Sequence, residues 1–195
     1  KNKELVIIYS NSDDNTEYYL NSIKNDRNIK IYKFNGSIYE CLNFGINRSK
    51  GKIIGILHSD DVYYKNDILK EVSKKFKKNK LDIVFGNVLF SKKNNLLNIK
   101  RVWKNIQIKK SFDIPPHPST FIKRSILIKN KFNTSYSISS DTDLLLRIFK
   151  DKYKFHYINK FFTIMRSGGI SNRFEYLLKK SREDIKIFYS NNLNI

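Results

Sequence analysis

The strongest constraint on this chain is a rhythm. From Leu5 to Val88, short apolar runs alternate with polar-capped helical stretches. Leu5-Val6-Ile7-Ile8-Tyr9, Ile29-Lys30-Ile31-Tyr32, Lys52 to Leu57 and Asp82 to Val88 read as strands: brief, and rich in β-branched side chains. Between them, turn residues Ser10 to Thr16 lead into a helix from about Glu17 to Lys24, and Gly36 opens a helix to about Ser49 that Gly51 ends as a left-handed cap. Asn66 to Lys78 places Ile68, Leu69, Val72 and Phe76 at helical spacing with lysines elsewhere. Strand alternating with helix predicts an α/β fold, a mostly parallel central sheet with helices on both faces.

After residue 90 the rhythm changes. Leu89-Phe90 and Asn98 to Trp103 predict antiparallel strands, and Pro115-Pro116-His117-Pro118 a rigid loop before a strand at Ser119 to Ile122. A helix is predicted from Ser139 to about Lys150, two strands at 155–158 and 161–165, a turn at Gly168-Gly169, and a last helix from Phe174. No linker or repeat divides the chain, so residues 1–195 read as one domain, with 1–90 and 91–195 as its two parts. The 40% hydrophobic content is enough for a core at this length, which excludes a disordered chain.

Lys plus Arg number 38 against 18 Asp plus Glu, a net charge of +20 that attracts polyanions. The lysines are spread along the whole chain and no recognition motif accompanies them. A nucleic-acid-binding domain therefore ranks below an enzyme, and a Lys-, Asn- and Ile-rich composition also follows from an AT-rich genome. A single cysteine, Cys41, allows no internal disulfide and suits a reducing cytoplasm. No apolar run reaches the length of a membrane span. The expected location is cytoplasmic, with basic helices at Lys70 to Lys80 and Phe174 to Lys186 able to rest on an anionic membrane face.

The run Ile53-Ile54-Gly55-Ile56-Leu57-His58-Ser59-Asp60-Asp61 carries the chemistry. Two adjacent carboxylates at a strand end repel, and water, a helix N-terminus or a cation must offset that. A solvated turn is one reading. The other follows from position, because ligands of open α/β sheets bind beyond the carboxyl ends of the strands. Asp141 is similarly double: Ser140 and Asp143 make a capping-box-like pattern around it, and a carboxylate at a helix N-terminus stays ionised, as a general base requires. The three His and one Cys show no structural-zinc spacing.

Four segments in order bring a resemblance. They are Ile7 to Thr16, with Ser12, Asp13 and Asp14; Gly36 to Asn47, with Asn43 and Gly45, leading to Ser59-Asp60-Asp61; His117-Pro118-Ser119-Thr120-Phe121 through Ser140-Asp141-Thr142-Asp143-Leu144 to Arg147; and Arg166-Ser167-Gly168-Gly169-Ile170-Ser171. In these the chain resembles the inverting family-2 glycosyltransferases of the GT-A fold over nearly its whole length. The resemblance implies transfer of a sugar from a nucleoside diphosphate sugar to a glycan or polyprenyl-linked acceptor in surface polysaccharide assembly. It implies Mn²⁺ or Mg²⁺ as cofactor, Asp61 as metal ligand and Asp141 as base. Ser12, Asp14, Asn43, Asp60, His117, Arg166, Gly168 and Gly169 become substrate contacts. Two departures stand out. The family's first strand, which helps hold the base, is lacking, and Tyr9 stands where relatives carry Asp. A chain incomplete at its N-terminus is the expectation, with a catalytically inactive module as the alternative.

Overall fold

The computed structural model describes residues 3–92, 95–104, 114–166 and 174–192. The alternation appears as β1 (Leu5–Tyr9), α1 (Thr16–Ile23), β2 (Ile29–Lys33), α2 (Ile38–Arg48) and β3 (Ile53–Gly55). Then come β4 (Val62–Tyr63), α3 (Ile68–Asn79), β5 (Ile83–Lys92), β6 (Asn95–Trp103), β7 (Thr120–Lys123), α4 (Arg124–Asn130), α5 (Ser140–Lys150), β8 (Phe155–Arg166) and α6 (Phe174–Ser190).

β1 and β2 pair in parallel as a two-stranded sheet. The larger sheet runs β3-β7-β5-β8-β4, with β6 on β5. Its one parallel pairing among the described strands is β5–β8; β7, β4 and β6 join antiparallel. The α/β class stands, with a larger sheet that is mixed rather than mostly parallel. β1 and β3 each keep one edge that no described strand pairs with.

β5 is the axis of the core: Ile83 to Leu89 are all buried. Ile83 and Phe85 pack on one face with Tyr39 and Ile46 of α2, Ile126 and Leu127 of α4, and Leu144 and Ile148 of α5. Val84 packs on the other with Ile68, Val72 and Phe76 of α3. That alternation is the period-2 geometry of a strand covered on both sides.

Several boundaries differ from the sequence expectation for physical reasons. α2 opens at Ser37, whose hydroxyl and the Glu40 carboxylate form a reciprocal capping box. It closes at Ser49, not through a left-handed Gly51; the Gly51 N–H is taken by the Glu4 carboxylate. Arg124 donates to the carbonyls of Ile46 and Asn47, ends that a glycine cap would otherwise serve. α4 escapes the pattern because it is seven residues long and lacks a side-chain cap. The two strands expected at 155–158 and 161–165 are one. Phe85 pairs Tyr157 while Asn87 pairs Phe161, so Asn159 and Lys160 sit in a bulge of a continuous β8.

That bulge is why residue 86 is glycine. A Cβ there would lie 2.7 Å from the Phe162 ring and 2.8 Å from the Lys160 carbonyl. Backbone cannot swing away as a side-chain tip can. Gly86→Ala is expected to lower unfolding stability by about 1–3 kcal/mol, read as a lower urea midpoint at unchanged slope.

Candidate active site at the ends of β3 and β7

The site is assembled by strand register. Gly55 of β3 pairs with Phe121 of β7, so the chain leaving β3 runs back along the turn that precedes β7. His58 and His117 consequently meet, with ring centroids 5.6 Å apart. The Pro116–Ser119 turn is fixed by three hydroxyls. Ser119 donates to the Asn87 carbonyl (3.0 Å), Thr120 to the Pro116 carbonyl (2.8 Å) and Thr163 to the Pro118 carbonyl (2.8 Å). His117 is thus not a solvated loop residue. Its Nε2 is buried with no partner among the described residues, and burial, with His58 beside it, pushes its pKa down to about 3. Burial also lowers His58, against the pull of Asp60 and Asp141. Both imidazoles are neutral.

Val62 of β4 pairs with Ile164 of β8, which lays Asp60-Asp61 against the β8 end at Arg166. Asp60 is exposed, whereas Asp61 is buried at 5%. Burial and the Asp60 charge push the Asp61 pKa up to about 7, with the Arg166 N–H and guanidinium acting the other way. Oδ2 of Asp61 has no hydrogen-bond partner among the described residues. A buried carboxylate oxygen left open beside a second carboxylate fits a hard cation. No group of three or more His, Cys, Asp or Glu side chains forms a ready cage among the described residues.

Asp141 lies in the first turn of α5. Its Oδ1 accepts from the Thr142 N–H (2.9 Å) and lies 3.5 Å from the Tyr39 hydroxyl. Burial raises its pKa above the ordinary carboxylate value, with Thr142 and the Lys180 charge opposing. The helix terminus expected to keep it ionised is outweighed by desolvation, which makes it a stronger proton acceptor. The expected capping box does not form. The Ser140 hydroxyl has no partner among the described residues, and Asp143 binds Arg147 at 2.9 Å, whose guanidinium continues to the carbonyls of Asn130 (2.6 Å) and Lys131 (2.8 Å). Arg147, steadied by Asp143, thus ties α5 to α4, and Asp141 has no ion pair within salt-bridge distance among the described residues. Asp141 and Asp60 both act electrostatically on His58.

The remaining expected contacts divide. The Ser12 hydroxyl donates to Asp14 Oδ1 (2.7 Å), as does the Thr16 N–H (2.8 Å), a local turn before α1 at the carboxyl end of β1. Glu4 accepts from the N–H groups of Lys50 and Gly51, which ties the start of β1 to the chain entering β3. Asn43 has a structural task. Its amide donates to the Phe132 carbonyl and accepts from the Phe132 N–H, both at 2.9 Å, so it clasps α2 to the segment after α4. Gly168 and Gly169 lie outside the described residues. Sequence reasoning missed Tyr39 as part of the site, and with it the α6 residues Lys180, Glu183 and Asp184. Only pairing register and helix packing bring them in.

Residues 1–136 match the profile of Glycosyl transferase family 2. The chain is 29% identical to an uncharacterized glycosyltransferase of Methanocaldococcus jannaschii over 97% of this chain and 63% of that protein. It is also 29% identical to one of Rickettsia prowazekii over 77% of this chain and 50% of that protein. The chain therefore spans less than two thirds of the length of these relatives. Among solved structures, S. aureus TarS 1–349 superposes with a TM-score of 0.70 at 14% identity, over 96% of this chain and 62% of that one. The mannosyltransferase PcManGT of Pyrobaculum calidifontis, in complex with GDP-Man and Mn²⁺, gives 0.61 at 14% identity, over 96% and 54%.

Proposed function

Because the chain belongs to glycosyl transferase family 2 and has the GT-A fold of its structural neighbours, we propose that it transfers a sugar from a nucleoside diphosphate sugar to an acceptor hydroxyl with inversion. The observation that carries this reading is a buried Asp61 with an open Oδ2 beside Asp60, together with a half-buried Asp141 whose charge, like that of Asp60, acts on His58. Asp61 holds a divalent cation with the donor diphosphate, and Asp60 contacts the ribose. Bound there, Mn²⁺ or Mg²⁺ supplies Lewis-acid stabilisation of the departing diphosphate. Asp141 takes the proton of the acceptor hydroxyl. That oxygen attacks the anomeric carbon from the face opposite the diphosphate, and the carbon–oxygen bond to the diphosphate breaks with its electron pair. His117, neutral and with Nε2 open, is placed to donate to or accept from donor oxygens, and Arg166 to pair with phosphate. An additional strand, as the resemblance implies, would find open edges on β1 and β3 and complete the base-binding side.

The acceptor is proposed to be a glycan on a polyprenyl-type carrier. No helix among the described residues is long and apolar enough to cross a membrane. α6 exposes Leu177, Leu178, Ile185 and Tyr189 on its outer side, alongside Lys179, Arg182 and Lys186. Apolar side chains flanked by cations are the composition of a helix that lies on an anionic membrane face.

The reading is tested by thermal unfolding with UDP-glucose, UDP-galactose, UDP-N-acetylglucosamine and GDP-mannose, each with and without Mn²⁺. One donor at about 100 times its Kd is expected to add about 2.7 kcal/mol, and only with Mn²⁺. That is about 5–10 °C in Tm for a chain of this size. Stabilisation by none would favour the inactive-module alternative.

A further inference from the structure

Glu183 of α6 has no place in the roles above, yet it is among the most heavily bonded carboxylates of the described chain. It is 8% exposed. One oxygen accepts from the Ser137 N–H and hydroxyl, the other from the N–H groups of Ile138 and Ser139, each at 2.9 Å. Burial alone would raise its pKa, but these donors outweigh burial and hold it below the ordinary range. The residues it grips are the entrance to α5. Ser139, the N-cap, makes no side-chain cap bond, so the α6 carboxylate does the work a local cap would do. From the opposite side the Tyr39 hydroxyl of α2 donates to the Ile138 carbonyl. The peptide units of 137–139 are thus held by two helices remote in sequence, and Asp141 follows two residues later. Lys180 and Asp184, on the same helix, act on the Asp141 charge directly.

We propose that Glu183 is a positioning residue for Asp141. Its carboxylate grips residues 137–139 so that the first turn of α5 presents Asp141 to His58 and the Asp60–Asp61 corner. This rests on Asp141 being the base. It gives α6 a part in the reaction: the helix whose outer side carries the exposed apolar and basic residues holds the base from its inner side. A displaced carboxylate would lose proton-transfer geometry without losing the donor, because the cation corner is built on β3, β4 and β8.

The test uses Glu183→Gln, which keeps the shape but removes the charge and replaces one of the two accepting oxygens by an NH2 group that cannot accept from a backbone N–H, and Glu183→Asp, which keeps the charge but is one methylene short. Nucleoside diphosphate release from the donor selected among the four above is measured, together with amide hydrogen exchange. Both folded variants are expected to lose kcat about 10- to 100-fold while donor KM moves less than about threefold. Exchange protection should fall at Ile138 and Ser139 and persist in β5. Wild-type kcat in either folded variant, with protection lost at 138–139, would overturn the proposal and leave Glu183 merely structural. A wild-type kcat in Glu183→Asp alone would equally overturn it, by showing that charge and not placement matters. If Glu183→Gln does not fold, Glu183→Asp decides alone. Failure of the base assignment is seen separately, as full turnover by Asp141→Asn.

Discussion

Asp141→Asn is expected to bind the donor as the wild type does and to lose transfer by about 10²- to 10⁴-fold. The substitution is nearly isosteric, and the amide oxygen can still accept from the Thr142 N–H and stay near the Tyr39 hydroxyl. What it cannot do is take up a proton. Burial raises the pKa of the native carboxylate, which increases its appetite for the acceptor proton, so the wild-type kcat should fall on acidification through an apparent pKa above that of an ordinary Asp. The donor corner lies on β3, β4 and β8, so Mn²⁺-dependent stabilisation by the selected nucleotide sugar should survive. Product release and thermal shift on one preparation check both halves. Full turnover by Asp141→Asn would remove the base assignment, and loss of donor binding would move Asp141 to the donor side.

The parts of the fold that were legible from residues were those dictated by local periodicity. β1, β2, α3 and β5 each announce themselves by spacing of apolar side chains, and the class follows from their alternation. What was not legible depends on contacts between distant segments. The bulge at Asn159-Lys160 looks like a break between strands until Gly86 is seen to make room for Phe162. Asn43 sits where the resemblance places a substrate contact, but Phe132, 89 residues away, takes both its amide groups. The same holds at the site. Asp60, Asp61 and Asp141 stand out as carboxylates at element ends, a signal that composition and position carry. His58 joins them only because β3 and β7 are antiparallel, and Glu183 only because α6 packs behind α5. Strand register and helix packing are non-local, and no window of sequence contains them.

Asp61→Ala is expected to abolish the Mn²⁺-dependent stabilisation by donor altogether, the full 5–10 °C or about 2.7 kcal/mol at 100 times the wild-type Kd. Asp61 is the carboxylate whose environment makes least sense without a cation. It is buried, it stands next to Asp60, and one of its oxygens has no partner among the described residues. Such a group destabilises the cation-free protein, and a cation relieves it by supplying the missing charge. The two halves of that statement separate in Asp61→Asn. With no cation at pH 7.5 this variant should be at least as stable as the wild type, because the amide carries no charge for burial to penalise. With Mn²⁺ and donor the order should reverse, the wild type gaining and Asp61→Asn staying where it was. A structural role for Asp61 predicts the opposite first result, a loss of cation-free stability, since Arg166 would lose its partner. Asp60→Asn is the companion measurement. Its exposed carboxylate adds repulsion to Asp61 without being buried itself, so its removal should weaken donor stabilisation only in part. Complete loss in Asp60→Asn with full retention in Asp61→Ala would transfer the cation to Asp60 and empty the buried corner of its proposed role.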